Sequence, residues 1–172
     1  MWSLALAFVD IAFHRRGPDE LPASRFLLGA VLALDIATGF VSQWTAGVVD
    51  AGSTMWLLVA TVFYLAYVFV ALRLLGHDRR YVQTTTALLG TDVLITAVGI
   101  PIDFWARVSP AAPTELSMPT LLLLFQLLWW IDVGGFIMGR ALGRPYFVGV
   151  LFMVVYFLTS LSIGRFFLSP AG

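Results

Sequence analysis

Cysteine and lysine are both missing from this sequence. Without a thiol the chain can form no disulfide, thiolate metal centre, iron–sulfur cluster or cysteine nucleophile. All ten basic residues are Arg, and with abundant Ala, Gly and Leu this suggests a GC-rich bacterial genome. Charge is sparse: 12% of residues are charged, and ten basic residues balance ten acidic ones to a formal net charge of zero. No bulk field then draws the chain to nucleic acid or to acidic substrates, so no nucleic-acid partner is expected. Only two histidines occur, His14 and His77, and both fall between the apolar runs, which excludes a haem held by paired histidines inside a membrane. HExxH, GxSxG and P-loop spacings do not occur. The Ser162-Ile163-Gly164 stretch has no histidine base at its depth. We therefore expect no metal, no cofactor and no catalytic residue: the chain does not read as an enzyme.

What is present is hydrocarbon. Hydrophobic residues make up 60% of the chain, and the mean hydropathy is +0.92, far above what a soluble domain of this size tolerates. Crossing the bilayer core takes about 20 mainly apolar residues. Five stretches qualify: roughly 25–44 with Ser24 as N-cap, 54–75 stopped at Gly76, 81–100 ended or kinked by Pro101, 119–139 opened by Pro119, and 145–168. Residues 2–13 are apolar but too short to span. Ser3, Asp10 and His14 share one helical strip there, and Trp2, Leu6, Val9 and Phe13 another, the pattern of an amphipathic helix lying in the membrane interface. Residues 1–172 thus read as one all-α integral membrane domain, with five transmembrane helices after an interfacial helix.

Arginine placement predicts orientation. With the N-terminus inside, inner segments carry Arg15, Arg16, Arg25, Arg73, Arg79, Arg80, Arg140 and Arg144, while outer segments carry only Arg107 and Arg165. That asymmetry predicts N-in, C-out insertion in a bacterial inner (cytoplasmic) membrane as a multi-pass protein. The longest connection, from Asp103 to Met118, reads as a surface loop stiffened by Pro110 and Pro113.

Three carboxyls then stand out. Asp35, Asp92 and Asp132 each lie ten or more residues inside a predicted span, where an ionised Asp costs about 2.5–3.5 kcal/mol. Thr38, Gly39 and Ser42 share a face with Asp35; Thr85, Thr96, Gly99 and Asp103 lie on the face of Asp92; Gly135 and Gly139 lie on that of Asp132 at GxxxG spacing. The pattern predicts an intramembrane polar cluster of Asp35, Thr38, Asp92, Thr96 and Asp132, with Gly39, Gly99, Gly135 and Gly139 as a helix-packing seam. Such a cluster can tie helices together, dock a partner carrying a buried cation, or form a proton or ion path. Trp129 and Trp130 lie unusually deep, and their indole N–H groups need acceptors. At the inner surface His77, Arg79 and Arg80 are candidate headgroup contacts.

Two stretches carry a family likeness. They are Arg15-Arg16-Gly17-Pro18-Asp19-Glu20-Leu21-Pro22, leading into the first span, and Arg79-Arg80-Tyr81-Val82-Gln83-Thr84-Thr85-Thr86-Ala87-Leu88-Leu89-Gly90-Thr91-Asp92, leading towards Pro101. They resemble bacterial members of the Yip (Ypt-interacting protein) family of five-span membrane proteins. In that family a polar, Thr- and Gly-containing third span opens after a basic cytoplasmic loop and closes at a proline. The resemblance implies five spans and no catalytic residues. The sequence thus leads us to expect a non-enzymatic accessory or assembly protein, or a subunit of a larger membrane complex. Its expected partners are membrane lipids and either other membrane subunits or further copies of itself. The alternative expectation is a small proton or ion conduit using the aspartates.

Overall fold

The computed structural model describes residues 2–109 and 117–168, and every regular element among them is helical. A short helix, α1 (Trp2–Ala12), is followed by α2 (Arg25–Ala46), α3 (Ala51–Leu74), α4 (Tyr81–Val108), α5 (Met118–Ala141) and α6 (Tyr146–Leu168). Helices α2 to α6 are each long and apolar enough to cross a membrane. Single 3-10 turns at Pro18–Glu20 and Asp78–Arg80 precede α2 and α4.

The ends of the helices follow from local chemistry. Ser24 caps α2 by accepting from the Leu27 N–H at 3.2 Å. Gly47, at φ 75°, closes the same helix in the left-handed conformation. Asp50 and Ser53 cap α3 reciprocally: the Asp50 side chain accepts from the Ser53 N–H at 2.6 Å, and the Ser53 hydroxyl accepts from the Asp50 N–H at 2.9 Å. This box starts α3 a turn earlier than the apolar run alone predicts. Ser117 caps α5, with Pro119 in its first turn.

One predicted boundary is corrected. Helix α4 passes through Pro101 and runs on to Val108. The proline removes only the bond to the Ala97 carbonyl, and α2 holds the turns beyond it. The Ser42 hydroxyl donates to the Asp103 carboxylate at 2.6 Å, and Arg107 donates to the Trp44 carbonyl at 3.4 Å. Asp103 therefore lies on a helix rather than in a loop, whereas Pro110, Pro113 and Glu115 lie outside the described residues.

Helix α1 packs one strip of its surface against the bundle. Ala7, Phe8, Ile11 and Ala12 are buried, while Leu6 and Phe13 are exposed. Away from its polar positions α1 is apolar all round, so the strip that fits α4 decides its rotation. The Phe8 ring rests where a side chain on Gly90 would stand. Gly90 is the tenth residue of α4, roughly 15 Å from its start, so α1 leans on the flank of the bundle.

Packing is uneven along the bundle. Leu72, Leu88, Leu89, Ile137, Met138 and Leu142 are almost fully enclosed. All of them lie in the half next to the α3–α4 and α5–α6 connections, the end that carries most of the arginines. The backbones of α5 and α6 nearly touch there. A Cβ placed on Gly149 would stand 2.0 Å from the Gly135 carbonyl oxygen and 2.5 Å from the Gly139 nitrogen. Gly149→Ala is expected to force the two helices apart and cost about 1–3 kcal/mol, measured by unfolding in detergent. Gly29→Ala is the control, because nothing lies within 4 Å of its added methyl and stability should hold or rise.

Candidate functional site

Helices α2 and α4, whose contact is the most extensive in the bundle, bring two of the three aspartates together. The carboxyls of Asp35 and Asp92 lie against each other, and the Trp130 side chain of α5 lies beside Asp92. The Trp129 indole donates instead to the Ala12 carbonyl at 3.4 Å.

Aromatic rings from α3 and α6 roof the pair. Tyr156 stands at the centre, its ring 4.7 Å from Tyr64, 5.4 Å from both Phe63 and Tyr67, and 5.9 Å from Trp130. Two cavities flank Asp92. One of about 240 Å³ lies between α2, α3 and α4 and is lined by Asp35, Ser42, Thr61, Tyr64 and Thr96 among others. The second, of about 390 Å³, lies towards α5 and α6 and is lined by Thr96, Gln126, Trp130, Tyr156 and Ser160 among others. Both open from Asp92 towards the end of the bundle where Ser42 meets Asp103. On the other side of Asp92 the wall is the tightly packed half described above.

Thr96 lines both cavities, but Thr38 takes no part between helices. Its hydroxyl donates to the Leu34 and Asp35 carbonyls of its own helix, each at 3.0 Å. Gln126 belongs to the site, and sequence reasoning missed it. Its side-chain N–H donates to the Ile95 carbonyl at 3.1 Å, while its carbonyl oxygen is buried without a partner. The available signal was a lone amide one turn before Trp130 within an apolar run. Gly99 leaves room for this amide, as Gly39 leaves room for Leu57. These two glycines thus accept side chains, whereas Gly135 and Gly139 meet a backbone.

Asp132 does not join the cluster, which corrects the expectation of three converging carboxyls. It follows Trp130 by two residues and so points roughly 200° away around the helix. Its carboxylate accepts a hydrogen bond from the Tyr146 hydroxyl and lies 3.3 Å from His14 Nε2, with its side chain 42% exposed. His14 reaches it because the residue adopts φ 58° just past the end of α1, and the imidazole stacks on Phe136 at 4.3 Å. Asp132 therefore anchors the α1 turn to α5 and α6.

At the arginine-rich end, His77 and Arg80 are engaged within the protein. His77 Nε2 lies 3.0 Å from the Leu142 carbonyl, and Arg80 donates to the Arg140 and Ala141 carbonyls at 3.3 and 3.1 Å. Both reach carbonyls at the end of α5, where the Arg140 carbonyl also accepts from the Gly143 N–H at 3.2 Å. Arg79 is exposed.

A double-mutant cycle tests this arrangement. Asp35→Asn and Asp92→Asn should couple by about 0.5–3 kcal/mol in unfolding free energy, because each removes a partner of the other. Asp35→Asn and Asp132→Asn should be additive. Coupling of the second pair as strong as that of the first would contradict the geometry. No family model, curated protein or solved structure matches this chain.

Proposed function

We propose that this chain is a non-enzymatic accessory or assembly protein, or an integral subunit, of a bacterial inner-membrane complex, and that it acts by helix association within the bilayer. One observation carries the reading. Gly29, Ala33 and Ala37 recur at four-residue spacing on α2 and are all exposed. That is the small-residue spacing that lets helix backbones approach closely in a membrane. Helix α2 is also the peripheral span, with Val31 its one buried residue. Two of the connections between the long helices are only four residues long: residues 47–50 join α2 to α3, and residues 142–145 join α5 to α6.

N-in, C-out insertion belongs to the same proposal. It is supported by the gathering of inner-segment arginines around the α3–α4 and α5–α6 connections. The Yip-like resemblance fits the reading, since it implies five spans and no catalytic residues. A proton or ion conduit is the second reading, favoured by the cavities on either side of Asp92. The closely packed aliphatic side chains beyond the carboxyls, among them Leu72, Leu88, Leu89, Ile137 and Met138, argue against it.

Extraction into native-lipid particles without detergent separates the two. Association predicts a stoichiometric complex, with other subunits or with a second copy, that Ala33→Leu disrupts while the fold survives. Conduction predicts proton flux in liposomes that Asp92→Asn abolishes. A lone protomer, unaffected by Ala33→Leu, would end the association reading.

A further inference from the structure

A separate cavity lies at the arginine-rich end, distant from the carboxyl pair. It measures about 290 Å³ and is lined by Pro18, Asp19, Arg80, Gln83, Thr84, Arg140 and Ala141. Two guanidiniums from different helices therefore face one space. Among the described residues neither has a carboxylate within 4.0 Å, since the ion pairs there join His14 to Asp132 and Arg16 to Asp10 and Glu20. Arg80 is fixed by its bonds to the Arg140 and Ala141 carbonyls. Arg140 lies over the Phe136 ring at 5.6 Å and passes close to Gly17, where a Cβ would stand 3.2 Å from the guanidinium carbon.

Thr84 supplies the second, independent observation. It is only 1% exposed and lines this cavity, so a side chain able to donate a hydrogen bond borders the space that the two arginines share. The first turn of α4 adds the positive end of a helix dipole. The Asp19 carboxylate opposes an anion, but it is one negative charge against two positive ones.

We propose that this cavity binds a phosphate-type oxyanion, held between the Arg80 and Arg140 guanidiniums with the Thr84 hydroxyl as a further donor. Guanidinium forks match two oxygens of such a group, and the hydroxyl reaches a third. The phosphodiester of an anionic lipid headgroup and free inorganic phosphate share this chemistry. The site is independent of the association proposed for α2. It also differs from a basic loop resting on headgroups, because Arg79 is not part of it.

The test uses the full chain in nanodiscs, in two arms. One replaces part of the phosphatidylcholine with phosphatidylglycerol and counts retained lipid by native mass spectrometry. The other keeps phosphatidylcholine alone and titrates inorganic phosphate, following thermal unfolding by tryptophan fluorescence. Saturable binding is expected in at least one arm. Arg140→Gln should weaken it about tenfold and Thr84→Val should weaken it less, while Arg79→Gln and Arg144→Gln leave it intact. Among the described residues the Arg140 side chain makes no hydrogen bond, so its replacement spares the fold. Saturation by phosphatidylglycerol alone identifies a lipid site, and saturation by phosphate alone a soluble-anion site. Equal binding by wild type and Arg140→Gln, an equal loss in Arg79→Gln, or saturation in neither arm would overturn the proposal.

Discussion

Inside hydrocarbon no water is available to satisfy a polar group, so each one must find its partner within the protein. The rest of this structure depends on that constraint. It makes the long segments helical, because a helix closes its backbone hydrogen bonds within itself. It sends the hydroxyls of Thr38, Thr45, Thr61, Thr86, Thr91 and Thr159 back onto carbonyls of their own helices. It leaves the groups that cannot be satisfied locally, above all the carboxyls, to determine which helices must meet.

The carboxyls are met in two ways. Asp35 and Asp92 lie against one another across α2 and α4, with Trp130 beside Asp92. Asp132 draws on the Tyr146 hydroxyl and on His14, which comes from outside the five spans. The two arrangements divide the bundle. Around Asp132 and beyond it, glycine contacts and aliphatic side chains pack closely, apart from the cavity that Arg80 and Arg140 line. Around Asp92, bulky aromatic rings hold the helices apart and leave cavities. Close packing at one end keeps the fold together, so the other end can tolerate space.

The long helices were legible because the signals for them are local: apolar run length, capping residues and glycine stops. One local signal was overruled by partners distant in sequence. Pro101 reads as an end, yet Ser42 and Arg107 hold the turns beyond it to α2. Which strip of α1 meets the bundle was not legible either, because it depends on Phe8 fitting the gap over Gly90. Gln126 escaped notice because one amide in an apolar run carries no period, and its role depends wholly on the Ile95 carbonyl and the space at Gly99.

By itself the sequence determined that the chain folds as membrane-length helices, where most of them begin, and how unevenly arginine is distributed between their ends. Those properties depend on transfer free energy and on hydrogen bonds closed within a few residues. Only the tertiary structure decided which two aspartates pair, which glycines meet a backbone rather than a side chain, and which arginines face a common cavity. The physical reason is rotational. An apolar helix can turn almost any face towards its neighbours at similar cost in lipid, so its phase is set only when all the helices are packed together.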